Sequence, residues 1–222
     1  MNARLNTLAI LSGIALAVGF SGMASASAIT VQSGGITLTS TDTTAAGGSA
    51  APWSIVEGMT SPGTLQFSQD NNGEPLGSGN PTNSGHSLGK WISKTVTNNT
   101  GVAWTSFELE LQSLLGTPST DGDGLSFAQG GGLIFSSDMF STYTRIDTTR
   151  DYLNFSGGSV ADGGSVNFLF AITDATVTGG GEMNDPFYLL QTANKFERIP
   201  EPATLALLSL GLVGLGMMRR KV

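Results

Sequence analysis

Phe107-Glu108-Leu109-Glu110-Leu111 alternates apolar and acidic side chains without a break. A period of two belongs to an extended chain, so Phe107, Leu109 and Leu111 share one face and both glutamates the other. The stretch predicts a half-buried antiparallel strand whose glutamates lie on a solvated surface. Residues 166–172 follow the same rule, with Val166, Phe168, Phe170 and Ile172 together and Leu169 partly covered behind them. That pattern reads as a central strand.

On either side of this strand the apolar content comes in short β-branched or aromatic runs: 36–39, 64–67, 91–97, 102–112, 133–135, 151–155, 165–173 and 187–191. Between them stand Asn98-Asn99-Thr100-Gly101, Gly130-Gly131-Gly132, Gly157-Gly158, Gly163-Gly164 and Gly179-Gly180-Gly181, which read as turns. No interior stretch places apolar residues at helical spacing. The expected fold is therefore all-β, a single antiparallel β-sandwich with jelly-roll or Greek-key connections. Residues 69–87, rich in Asn, Gly, Ser and Pro, form the longest connection without a strand signal.

Composition narrows the class. Between residues 29 and 199 six basic side chains face sixteen acidic ones, a net charge of −10. Such a surface repels phosphate backbones, which argues against nucleic acid as a partner. The chain has no cysteine, so thiolate metal sites, redox pairs and cysteine nucleophiles are excluded and the fold must hold without disulfides.

Several motifs invite chemistry and fit simpler readings better. Gly85-His86-Ser87-Leu88-Gly89 spells a nucleophile elbow, but an elbow needs a strand before it, a helix after it and a histidine elsewhere as base. His86 is the only histidine, so it reads as a solvated loop residue. Asp121 and Asp123 in Asp121-Gly122-Asp123-Gly124 would offer two carboxylates to calcium, yet no third acid or closing glutamate follows, and an acidic turn fits better. Glu108 and Glu110 resemble a glycosidase pair in spacing only and read as surface. Trp53, Trp91 and Trp104 would stack on sugar rings if exposed on one face, but tryptophans within β-runs are usually packed. Asn98-Asn99-Thr100 and Asn154-Phe155-Ser156 fit the glycosylation sequon. No catalytic residue and no cofactor is expected.

The two ends are addresses. Residues 1–28 carry Arg4, an apolar segment from Leu8 to Phe20 and small residues Ala24, Ala26 and Ala28, the order of a secretory signal peptide. Both Ala24/Ala26 and Ala26/Ala28 satisfy the small-x-small rule, so the mature chain starts at Ser27 or at Ile29. A β-domain then spans 29–191 and a short spacer 192–199. Residues 203–218 are apolar all round and would make a helix of about 24 Å, close to the ~30 Å hydrocarbon core. Arg219, Arg220 and Lys221 would keep that end cytoplasmic while the signal peptide carries the domain across.

Pro200-Glu201-Pro202, the apolar span and the terminal basic cluster resemble the PEP-CTERM sorting signal of exosortase substrates in Gram-negative bacteria. The resemblance covers about residues 199–222. It implies that an exosortase in the inner membrane recognises Pro200, Glu201 and Pro202, cleaves in or near them, and leaves the body at the cell surface or outside the cell. Residues 96–111 are also similar to a strand-turn-strand found in the β-rich bodies of such proteins. The implied function is a structural or adhesive role in envelope, exopolysaccharide or biofilm. The alternative is a carbohydrate-binding module for exopolysaccharide, which requires exposed tryptophans.

Overall fold

The computed structural model describes residues 27–69, 75–77, 79–82, 84–120, 122–128, 133–146, 149–175 and 186–194. They form strands β1 (Ala28–Asp42), β2 (Trp53–Ser68), β3 (Leu88–Asn98), β4 (Trp104–Leu114), β5 (Thr117–Pro118), β6 (Leu125–Ser126), β7 (Ser136–Ser137), β8 (Phe140–Ile146), β9 (Tyr152–Val160), β10 (Ser165–Asp174) and β11 (Phe187–Ala193). The protein is all-β, as expected, and no helix occurs among the described residues.

All the strands join one sheet, ordered β6-β10-β3-β2-β11-β4-β9-β8, with β1 beside β2, β5 beside β4 and β7 beside β10. Strand β2 organises it. Along one edge β2 pairs antiparallel with β1, from Ala28 opposite Ser68 to Asp42 opposite Ser54. Along the other edge its first half, 53–59, pairs in parallel with β3, and its second half, 63–67, pairs antiparallel with β11.

The change of partner falls at a bulge. Between the pairs Gly34–Gly63 and Ile36–Met59, β1 has only Gly35 where β2 has Thr60, Ser61 and Pro62. An unequal count of this kind bends a strand, and proline tolerates the site because it has no N–H to leave unpaired. Gly34 sits at φ +81°, and a Cβ there would come within 2.0 Å of the Pro62 carbonyl oxygen. The strands approach this closely only because the residue is glycine.

From the bend the sheet spreads into two wings, β3 and β10 with β6 and β7 on one side, β11, β4, β9 and β8 on the other. They curl over a shared aromatic core. The Phe168 ring of β10 lies 4.8 Å from Phe107 of β4, 4.8 Å from Phe155 of β9 and 6.1 Å from Phe140 of β8. Phe107, Phe155 and Phe168 are all essentially fully buried.

Four expectations need correction. The sheet is mixed, not purely antiparallel, because β2 and β3 run in parallel. A parallel connection needs a dozen or more residues, and the long polar stretch 69–87 is that crossover. Residues 133–135 lie outside any strand, just before β7. Gly157-Gly158 is a bulge within β9, where 157–159 face Thr105 alone, and no turn. A Cβ on Gly158 would meet the Met139 carbonyl oxygen at 1.7 Å, so that glycine is demanded by close packing of β8. Finally, β11 runs to Ala193, two residues into the stretch read as spacer, with Thr192 and Ala193 paired to Glu108 and Phe107.

Because Phe168 joins both wings, Phe168→Ala is expected to cost about 3–5 kcal/mol of unfolding free energy in urea denaturation. A loss below ~1 kcal/mol would contradict the shared core.

Candidate functional site

The acidic face of β4 is the first place where chemistry gathers. Glu108 and Glu110 are buried, at 3% and 4% exposure, which overturns their reading as solvated surface. Arg150, just before β9, donates from Nη1 to Glu110 Oε2 and from Nη2 to both oxygens of Glu108 at 3.3 Å. Its guanidinium also lies over the Tyr152 ring, 4.2 Å from the centroid. Gln112 Nε2 adds a bond of 3.3 Å to Glu110 Oε1. A glycosidase pair needs one acid able to give a proton and a second able to attack or activate water. Here a single cation clamps both carboxylates, so the arrangement works as a strut between β4 and the entry to β9. The alternation in β4 separated its faces, but nothing local announced a guanidinium forty positions later.

Asp123 turns inward on its own loop. Its Oδ1 accepts from Ser119 Oγ at 2.9 Å and Leu125 N at 3.2 Å, and its Oδ2 from Thr120 N at 3.1 Å. Those bonds are the signature of an acidic turn. Among the described residues no three His, Asp or Glu side chains stand close enough to hold a metal ion; Asp121 lies outside them.

The tryptophans do not form a sugar platform. Trp53, Trp91 and Trp104 are 2%, 7% and 0% exposed, and two of them spend their indole N–H inside the fold, Trp53 on Ala45 O and Trp104 on Thr100 Oγ1. The carbohydrate module based on stacking by these rings is thereby removed. Asn98 of the first sequon is also buried, its amide donating to Val102 O and Val160 O while its oxygen accepts from Thr100.

His86 is half-buried, where a solvated position had been expected. Burial lowers its pKa below the ordinary 6.5; a backbone hydrogen bond to Thr173 opposes the shift and nearby Arg145 reinforces it. The strand that follows it, β3, begins at Leu88, so no helix is there to build an elbow.

Of the residues expected to address the protein, only Ala28 is described. It opens β1 opposite Ser68. Ser27 before it is buried, and its carbonyl accepts a hydrogen bond of 2.7 Å from Thr43 Oγ1. Ala24, Ala26, Pro200, Glu201, Pro202, Arg219, Arg220 and Lys221 lie outside the described residues, as does the span 203–218. Among the described residues no helix is long and apolar enough to cross a membrane.

The β-rich body is followed in the chain by a segment that can be compared with known sorting signals. Residues 198–221 match the PEP-CTERM protein-sorting motif, so the chain carries that sorting signal at its C-terminal end. The motif marks it for exosortase processing and for transit through the membrane to the cell surface. No curated protein and no solved structure matches the chain.

The placements of Ser27 and His86 can both be measured. Cleavage after Ala26 keeps the Ser27 and Ala28 contacts that cleavage after Ala28 would discard, so the mature N-terminus is expected at Ser27. N-terminal peptide mass spectrometry of the exported protein checks this, and a start at Ile29 contradicts it. Because the folded state holds His86 below its unfolded pKa, the folded state binds that proton less readily, and stability is lost as pH falls through the histidine range. An NMR titration of this single histidine should give a midpoint below ~6.5, and His86→Gln should flatten the loss of Tm between about pH 7 and pH 5. A midpoint at or above the ordinary value contradicts the burial.

Proposed function

We propose that the protein is a structural or adhesive component of the envelope or extracellular matrix of a Gram-negative bacterium, in an exopolysaccharide or biofilm setting. It acts without catalysis and without a cofactor. In this reading Pro200, Glu201 and Pro202 are recognition residues for exosortase, 203–218 spans the inner membrane, and Arg219, Arg220 and Lys221 fix its orientation. The anchor is transient, and the body ends at the surface or outside the cell.

The observation that carries the reading is the sorting motif at 198–221. In this reading the prolines on either side of Glu201 disfavour helix at the recognition element, so that an enzyme can grip it as extended chain. Two features of the body support a passive role. Glu108 and Glu110 are clamped by Arg150, and Glu57 by Lys94, so the buried acids at both places are committed to partners on the same chain. The acidic surface favours solubility and mutual repulsion in the secreted state.

Replacing Pro200-Glu201-Pro202 by three alanines in the native host tests the pathway. The variant is expected to keep its tail and remain with the inner membrane, whereas wild type loses the tail and reaches the surface. Mature mass and cell fractionation read both. Identical processing and location in the two proteins would overturn the sorting role.

A further inference from the structure

Three polar side chains meet where the two wings part. Glu57 on β2 and Lys94 on β3 are both fully buried, with Lys94 Nζ 2.7 Å from Glu57 Oε2. Gln191 on β11, also fully buried, points its Nε2 at the same oxygen from 3.4 Å. The two nitrogens are therefore separated by no more than the sum of those distances. Glu57 Oε1 and Gln191 Oε1 are buried and have no hydrogen-bond partner among the described residues. In-register neighbours are apolar: Lys94 lies opposite Ile55 and Phe168, and Gln191 opposite Leu109 and Gly63.

As a purely structural set this is a poor one. An ammonium and a carboxamide aim several N–H donors at one carboxylate in a dry core, and two acceptor oxygens go unused, at a desolvation cost that apolar residues would avoid. As a reactive set it is well arranged. Burial lowers the pKa of Lys94 against the opposing pull of Glu57, which favours the uncharged amine with a lone pair to donate. A carboxylate sits between that amine and an amide, and water is shut out.

We propose that Lys94 and Gln191 join in an intramolecular isopeptide bond, with Glu57 carrying the proton between them. Lys94 Nζ passes a proton to Glu57 and attacks the Gln191 side-chain carbonyl carbon. A C–N bond forms to the lysine, the tetrahedral centre collapses, and the bond to the original amide nitrogen breaks. Glu57 returns a proton to that nitrogen, which leaves as ammonia. Lysine amine plus glutamine amide gives a secondary amide plus ammonia, with no oxidant, metal or other reactant. The fold supplies what the step needs: positioned groups, which replace a bimolecular encounter, and a site closed to hydrolysis.

The product suits the chain. It ties β3 to β11, hence one wing to the other, beside the point where β2 changes partners. In an exported protein with no cysteine it gives the covalent brace that disulfides give elsewhere.

The test is intact-mass and peptide mass spectrometry on the mature protein purified after export of the full chain. Wild type is expected to be lighter than its sequence mass by one ammonia, with a linked peptide pair containing Lys94 and Gln191. Lys94→Met, Gln191→Met and Glu57→Gln should return to the full sequence mass without the linked pair. Wild type at full mass, or ammonia loss without the linked pair, overturns the proposal. Because the wild-type spectrum decides by itself, a variant that fails to fold does not weaken the test.

Discussion

Strand β2 keeps β1 along one edge for its whole length, but on the other edge it must serve two partners that diverge. The rest of the architecture depends on how that conflict is met. A straight strand would hold β3 and β11 in one flat layer and part Phe168 of one wing from Phe107, Phe140 and Phe155 of the other. The bulge at 60–62, with Pro62 in β2 and Gly34 facing it, bends the ribbon so that the two wings turn toward each other. Their inner faces then bury the aromatic cluster. The hydrophobic term that stabilises the protein is thus available only because a backbone irregularity brings the wings face to face.

Burial in this chain includes charges as well as rings. Glu57, Lys94, Glu108 and Glu110 are each at most about one-twentieth exposed, and isolated charges at such positions would be very costly. Each is matched from a different strand or loop: Glu57 by Lys94 across the β2–β3 pair, Glu108 and Glu110 by Arg150 across the β4–β9 pair. These contacts specify which strands lie side by side more sharply than apolar packing does, because a slipped register would leave a buried charge alone.

The sequence made the strand content legible wherever a short apolar run met a turn signal, as in 91–97, 165–173 and 187–191. It misled where a local rule had two physical causes. Gly157-Gly158 has the composition of a turn, yet the glycines are needed because Met139 passes against the strand there. The alternation of Phe107 to Leu111 correctly separates two faces, but a period of two cannot say whether the second face meets water or a guanidinium. Strand β8 went unseen because Phe140–Ile146 is mostly polar, an edge strand with little to bury. The bend in β2 left almost no trace, since one Pro62 among Thr, Ser and Gly reads as loop. The sorting signal stands at the other extreme: its Pro-Glu-Pro, apolar span and terminal basic cluster are read from local sequence alone, and residues 198–221 match the motif.

The exit of the chain connects the body to that address. Asn194, at φ +51°, closes β11 by accepting from Thr105 N at 2.7 Å and donating to Ala103 O at 3.0 Å. From there to Pro200 the chain spans six residues, at most about 20 Å when fully extended. In the proposed pathway the folded body must therefore stand within that distance of the membrane while exosortase works on Pro200-Glu201-Pro202. Any pull between body and attachment point enters through β11, which is paired on both sides, to β2 and to β4. A tether on a central strand loads two ladders of hydrogen bonds in shear, where an edge strand would peel. Gln191 sits on that strand three residues before Asn194, so a bond from Gln191 to Lys94 would pass the load directly to β3 and the second wing. The position of the polar triad is then intelligible mechanically: it joins the strand that receives the load to the half of the sheet that the load would otherwise leave behind.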